Sequence, residues 1–400
     1  MDKILLLGGS SQQVIAIETA KRLGLYTILC DYLPDNPGQH YSDKFYQEST
    51  TDKEAILRIA QQEKIDYIIA YASDPAAPTA AYVAEKMGLP TNPYSAVNTL
   101  CNKDMFRIFL KKNGFCTPRA VGYNDKKKAY ADIINFSFPI IIKPVDSSGS
   151  KGVTVLKALD SFEEAIDTAF SFSRSHCIII EEYIEKKHPY LIGGDIFVSK
   201  GQIIQWGLMN CHRDASVNPL VPVGKSYPPI ISESDMENVK CTLQKLVSLL
   251  KIKFGPMNVE LVIDKDDRAF LIDVGPRSGG NMIPDLLGLI FGCDMVEMSI
   301  RAAMGQTIRP IMKVGEPYYA TLNIHCDRFG LLKRIEFSKE IEQYIVFKKI
   351  YKKQGDEIHY FSNASETLGI VFFKFPSMQC MIEMEKNMNE HVKIVLQGEN

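Results

Sequence analysis

The chain lacks any cysteine arrangement that would make a disulfide framework or a zinc site. Its nine cysteines are scattered singly, none as Cys-x-x-Cys, and their number is odd. This predicts free thiols in a reducing cytoplasm. The chain also lacks an excess of charge of one sign. Forty-six basic and 48 acidic side chains leave a formal net charge of −2, which argues against broad electrostatic attachment to nucleic acid or to an anionic membrane. No apolar run reaches the length of a membrane span. Met1-Asp2-Lys3, followed by a short apolar strand, has no signal-peptide character. These absences predict a cytoplasmic globular protein whose partners are small molecules. Its 400 residues suit two or three domains or lobes.

What is present reads first as a β–α–β start to a parallel sheet. The apolar run Ile4 to Leu7 ends in Gly8-Gly9-Ser10-Ser11, and a helical pattern follows at Val14, Ile15, Ile17, Ala20 and Leu23. A second strand, Tyr26 to Cys30, ends at Asp31. A helix (53–63), a strand (67–70) and a helix (76–87) continue the unit. The run Gly-Gly-Ser-Ser-Gln-Gln has no third glycine, so it is a weak match to a dinucleotide fingerprint. An NAD(P)-dependent oxidoreductase is the more remote alternative it leaves open.

Residues 94–114 read as helical and contain Asn102-Lys103-Asp104. An apolar strand at 138–144 carries Lys143 near its end, and Val145 to Val153 form a Ser/Gly loop. Loop amides beside a lysine suit a phosphate, although the spacing is not that of a P-loop. A helix at 161–171 and a strand from 177 run into Glu181-Glu182-Tyr183-Ile184. Asn210 to Pro229 reads as a long polar loop in which Arg213 or Lys225 can hold a carboxylate. His212 is expected to be an ordinary loop histidine.

The most informative stretch is Phe270 to Asn281: a strand, Asp273, the turn Pro276-Arg277, then Gly279-Gly280. Glu260 lies in the preceding run Met257 to Ile263, and Asp264 to Arg268 reads as the hairpin turn. On antiparallel neighbours the two acids share one face and suit a hard cation carrying phosphates. An arginine four residues later suits developing negative charge on a phosphoryl or acyl group.

Lys103, Lys143 with its loop, Glu181 to Ile184, Glu260, Asp273 and Arg277 occur in this order over nearly the whole chain. In that order they resemble the ATP-grasp superfamily, in particular its carboxylate–amine ligases. The tail resembles the amino-acid ligase branch, with looser likeness to glycinamide-ribonucleotide synthetases and carbamoyl-phosphate-synthetase-like proteins. The resemblance implies an ATP-grasp fold of mixed α/β and α+β class. It has an N-terminal doubly wound parallel-sheet domain (1–94), a helical link and small lid lobe (95–185), a larger catalytic lobe (186–310) and a β-rich C-terminal part of that lobe (311–400). It implies ATP and Mg2+ as cofactors, with Mn2+ as a substitute, small carboxylate and amine substrates, and a homodimer.

Residue by residue, the resemblance implies that Lys103 and Lys143 hold the α- and β-phosphates. It makes Ser147, Ser148 and Gly149 the loop that closes over them. Glu181, Glu182 and Ile184 read adenine, and His188 lies where a ribose contact is expected. Glu260 and Asp273 bind the metal, and Arg277 steadies the acyl phosphate. Lys143 and Arg277 are therefore the expected catalytic residues. The family's Glu-x-Asn-Pro-Arg is here Asp273-Val274-Gly275-Pro276-Arg277, so an asparagine oxygen is missing and Asn281 is the candidate to replace it. Gly275 also motivates an alternative reading, a nucleotide-binding protein with a degenerate ligase site and a regulatory role.

Overall fold

The computed structural model describes residues 1–147, 149–309 and 318–398. The chain forms two compact units. One comprises Met1–Lys187, Gly194–Gly207 and Ile231–Met312; the other comprises His188–Gly193, Leu208–Ile230 and Lys313–Asn400.

In the first unit, strand β1 (Lys3–Leu7) has four consecutive buried apolar residues, so both of its faces need a cover. It lies parallel to β2 (Tyr26–Asp31), with β3 (Lys44–Gln47) and β4 (Tyr67–Ile69) completing the order β3-β2-β1-β4. Leu5 and Leu7 join Ile56 and Ala60 of helix α2 (Lys53–Glu63) and Val83 and Ala84 of α3 (Ala77–Met87) in one core. Ile4 and Leu6 join Ala16 and Ile17 of α1 (Val14–Arg22), with Val296 and Ile300 of the helix Met295–Ala303, in the other. A parallel sheet covered on both faces is the doubly wound arrangement expected from the sequence.

The helical stretch expected at 94–114 is two helices, α4 (Tyr94–Cys101) and α5 (Lys103–Lys112). Asn102 breaks it. Its backbone is extended, and its side chain accepts from the Met105 amide at 3.0 Å, an N-cap that starts a new helix. Lys103 is thereby placed in the first turn of α5.

Strands β5 (Ala120–Tyr123), β6 (Ile140–Pro144), β7 (Thr154–Leu156) and β8 (Ile178–Glu182) form an antiparallel sheet in the order β5-β8-β6-β7. It has its own core of Ile140, Ile142, Ile178 and Ile180 against Phe162, Ile166 and Ala169. Strands β9 (Leu191–Ser199) and β10 (Gln202–Asp214) are each divided between the units, and β11 (Asn218–Tyr227) belongs to the second. In the first unit β12 (Phe254–Ile263) and β13 (Ala269–Gly275) make the hairpin read from the sequence, with a register shift just after Glu260.

The second unit corrects one expectation. Residues 210–229 are not a loop for most of their length: β10 and β11 pair antiparallel. Of the prolines that suggested a loop, Pro222 sits at an irregularity. Pro222 faces Arg213, with register shifts on both sides of that pair, which is where a strand tolerates proline. Gly224 is needed for closeness, because a Cβ there would lie 2.2 Å from the Thr321 carbonyl oxygen of the next strand. Strands β14 (Tyr318–Ile324), β15 (Gly330–Phe337), β16 (Ile345–Ile350), β17 (Glu357–Ile358), β18 (Gly369–Phe375) and β19 (Val392–Leu396) follow. They are arranged as β11-β14-β18-β16 and β17-β15-β19. Ala320, Val371, Phe373, Phe375 and Met381 form this unit's core. Among the described residues no helix is long and apolar enough to cross a membrane.

Phe373 is completely buried. Phe373→Ala is expected to destabilise the second unit by about 3–5 kcal/mol, the usual cost of an emptied aromatic site, read as a fall in the urea midpoint by tryptophan-independent far-UV circular dichroism.

Candidate active site

The first unit carries a chain of charged groups that begins with a buried acid. Glu181 lies on β8 opposite Ile141 of β6, while Lys143 of β6 faces Ile179. Lys143 and Glu181 are therefore diagonal neighbours on one face of the sheet, and Lys143 Nζ stands 2.6 Å from Glu181 Oε2. Arg107, on α5, approaches the same acid: Nε donates to Oε1 at 2.7 Å and Nη2 to Oε2 at 3.3 Å. The guanidinium also donates to the Leu271 and Ile272 carbonyls of β13 at 2.8 and 2.9 Å. All three side chains are buried. Burial pushes the Glu181 carboxyl up, but the charges of Arg107 and Lys143 outweigh it and hold the group down at about 2. Burial pulls the Lys143 ammonium below its ordinary range, against the attraction of Glu181.

Lys103 stands close by. Its Nζ donates to the Ser147 carbonyl at 3.0 Å and lies 3.7 Å from Asp273 Oδ2, and its backbone amide donates to the Val145 carbonyl. Asp273 sits directly across the hairpin from Glu260. Burial raises the Asp273 carboxyl, yet Lys103, Lys143, Arg277 and Arg107 together hold it below the usual carboxylate range. A polar cavity of about 160 Å³ is lined by Lys103, Asp273 and Ser147 with Asp74, Asp146 and Arg174.

Gly149 has φ +68 and open space where a Cβ would be, a position suited to glycine. Ser148 lies outside the described residues. Glu182 accepts from the Ser137 amide at 3.0 Å, and Ile184 is half-buried beyond the strand's end. His188, in the second unit, is buried, with its Nδ1 on the Tyr190 carbonyl. In that unit too, Lys225 is buried, with Nζ 2.8 Å from Cys211 Sγ. Arg213 donates to the His212 carbonyl at 3.3 Å.

Among the described residues no group of three or more His, Cys, Asp or Glu could cage a metal ion unaided. Mg2+ does not need such a cage, because it keeps waters and phosphate oxygens and takes one or two carboxylates. The opposed Glu260 and Asp273, the latter held ionised, fit that requirement. For Asn281 the structure records a backbone contact, its amide donating to Gln12 Oε1 at 3.3 Å.

Three residues were missed in the sequence. Arg107 had a signal, since it follows Lys103 by four residues and so shares its helix face. Asp195 of β9 and Asp74 of the loop after β4 had none. Asp195 is buried, accepting from the Gly279 amide and from Asn258 Nδ2, both at 2.8 Å. A Cβ on Gly279 would lie 2.7 Å from its Oδ1, so the glycine serves close approach. Asp74 pairs with Arg277.

The N-terminal glycine loop is closed by its own side chains. Asp31 Oδ2 accepts from the Gly9 amide at 2.7 Å. Gln13 accepts from the Ser10 amide and donates to the Tyr71 carbonyl. Asp31, which a dinucleotide's ribose would require, is spent on the loop itself.

The cavity of Lys103 and Asp273 thus lies in a unit that carries both a doubly wound parallel sheet and a small antiparallel sheet. Residues 136–285 match the ATP-grasp domain family. Formate-dependent phosphoribosylglycinamide formyltransferase of Vibrio parahaemolyticus serotype O3:K6 is 26% identical over 335 residues, 78% of each chain. The carbamoyl phosphate synthase large chain of Thermotoga sp. strain RQ2 is 21% identical over 312 residues, 77% of this chain. The chain spans only 28% of that protein's length. The structure of an L-amino acid ligase from Bacillus licheniformis matches with a TM-score of 0.82 at 19% identity, covering 100% of this chain and 99% of the other. Phosphoribosylglycinamide synthetase from Anaerococcus prevotii matches at 0.76 with 20% identity, covering 99% and 100%. The chain is thus similar to the ATP-grasp domain family over residues 136–285 and shares its fold with these two enzymes.

Removing the charge of Glu181 leaves two buried cations uncompensated. Glu181→Gln is expected to cost about 3–5 kcal/mol. Because the folded group titrates at about 2 against an ordinary 4.5, its contribution is complete above pH 4.5 and is lost as pH falls towards 2. Urea unfolding between pH 6 and pH 3 should therefore fall less steeply for Glu181→Gln than for the natural chain.

Proposed function

We propose that the chain is an ATP-dependent, ADP-forming carboxylate–amine ligase that makes an amide or peptide bond through an acyl phosphate. The observation that supports this best is the gathering of Lys103, Ser147 and Asp273 around one polar cavity, with Glu260 directly across the hairpin from Asp273.

In this reading Lys103 and Lys143 neutralise the α- and β-phosphates. Lys143 has three N–H bonds and gives one to Glu181, which leaves it donors for a phosphate oxygen. Ser147, Ser148 and Gly149 cover the phosphates and exclude water, which would otherwise hydrolyse the intermediate. Glu181, Glu182 and Ile184 belong to the adenosine side. Glu260 and Asp273 would hold Mg2+, or Mn2+ in its place, with Asn281 as a further oxygen. When bound, the ion supplies charge neutralisation at the phosphates.

A substrate carboxylate oxygen attacks the γ-phosphorus, the bond from that phosphorus to the β,γ-bridging oxygen breaks, and ADP leaves. An amine then attacks the acyl carbon and expels phosphate. Negative charge grows on the acyl and phosphoryl oxygens in both steps, and Arg277 is the cation assigned to it. The alternative, a nucleotide-binding regulator without turnover, rests on the missing side-chain oxygen at Gly275. ADP release across a panel of acids and amines decides between them: turnover with some pair supports the ligase, and none despite tight ATP binding supports the regulator.

Arg277→Ala should lower kcat on the order of a hundred-fold with ATP affinity little changed, and lysine should rescue only in part because it lacks the planar fork. Steady-state turnover with direct ATP titration checks this. Lys143→Ala should weaken ATP binding roughly ten- to a hundred-fold and far more than Lys151→Ala, since Lys143 is buried on a strand and Lys151 is exposed in the loop. Equal effects in calorimetric titration would count against this assignment of Lys143.

A further inference from the structure

Asp74 meets Arg277 from 203 residues earlier in the chain. Arg277 Nε donates to Asp74 Oδ1 at 2.7 Å and Nη2 donates to Oδ2. Nη1 donates to the Ser278 carbonyl at 3.0 Å. A guanidinium has five N–H bonds. These contacts use three, and among the described residues one N–H on each Nη is left over. With side chains 15% and 21% exposed, the two-point pair is shielded from water. It has a fixed orientation that a surface ion pair lacks.

The same pair explains Gly275. A Cβ there would lie 2.4 Å from Asp74 Oδ1 and 3.2 Å from Arg277 Cζ. The backbone of Gly275 is not in the left-handed region, so it is space, not conformation, that demands glycine. The residue that looks like a lost ligand is the seat of a carboxylate. That carboxylate also borders the cavity of Lys103 and Asp273.

We propose that Asp74 is the positioning residue for Arg277. It grips the guanidinium along its Nε edge so that the two remaining Nη N–H bonds are held ready for an anionic reacting group, and Gly275 is bare so that Asp74 can do this. The proposal rests on the reading of Arg277 as the cation that meets the acyl phosphate.

The test has two arms on the full-length chain. In the first, Gly275→Ala and Asp74→Ala are made singly and together, and thermal unfolding midpoints are compared. Gly275→Ala should lower the midpoint in the natural background and by less than half as much beside Asp74→Ala. Equal lowering in both backgrounds overturns the seat and the proposal with it.

In the second arm, ADP release with the panel of acids and amines is measured beside ATP titration. Asp74→Ala should lower kcat about tenfold or more while the Kd for ATP stays within about two-fold. Asp74→Asn keeps the shape and one acceptor, so it should lose less and also serves if the alanine variant does not fold. Asp74→Ala added to Arg277→Ala should cost nothing further. Losses that multiply would mean that Asp74 acts elsewhere and would overturn the proposal. If instead Arg277→Ala leaves kcat unchanged while the stability coupling persists, the reading of Arg277 fails, and that failure is visible separately from failure of the seat.

Discussion

A carboxylate as deeply buried as Glu181 can exist only with cations around it, and the first unit is organised to supply them. Arg107 comes from a helix, Lys143 from a neighbouring strand, and the spare donors of Arg107 go to the carbonyls of Leu271 and Ile272. Those carbonyls immediately precede Asp273. One buried acid thus sets the relative places of the helix that begins with Lys103, the strand that carries Lys143 and the strand that carries the hairpin acid. A buried ionic network contributes little net stability over an apolar core, because desolvation offsets most of the attraction. Its effect here is geometric: the donors and acceptors can all be satisfied in one arrangement, and that arrangement puts the charges of the cavity in register.

The glycines near the second acid show how local composition is tied to distant charge. Gly279 is bare because Asp195 approaches its backbone, and the amide of Gly279 is consumed in binding that acid. Asn281 and Met282 then take left-handed backbone conformations before the helix Ile283–Phe291 begins. The glycine pair therefore does not open the helix directly. It lets a buried acid reach the chain, and two strained residues complete the turn.

Much of the fold was legible because its signals are local. The apolar run of β1, the alternation of helix and strand up to residue 87 and the charged turn between β12 and β13 declare themselves within a dozen residues. The hairpin placed Glu260 opposite Asp273 because strand periodicity alone dictates which side chains share a face. What escaped was long-range or hidden by composition. The partners of Arg107 lie 74 and more than 160 residues away, and no periodicity spans that distance. Asn102 split an otherwise helical stretch by a single capping bond. Residues 210–229 concealed two strands because Pro222 falls at a bulge and Gly224 at a close contact, features that only the paired neighbour reveals.

The contact between Gln12 and Asn281 has a consequence for how the chain is made. The two residues are 269 positions apart, so the first βα turn is synthesised well before its partner. At synthesis rates of about 5–20 residues per second, that turn waits on the order of tens of seconds for its partner to emerge. The thermodynamic cost of closing so long a loop grows only slowly with its length, so the delay is one of time more than of stability. During that interval the cover that begins with α1 is incomplete, since Val296 and Ile300 are still unmade. Part of the apolar surface of Ile4, Leu6 and Ile17 therefore waits for its final cover until those residues are made.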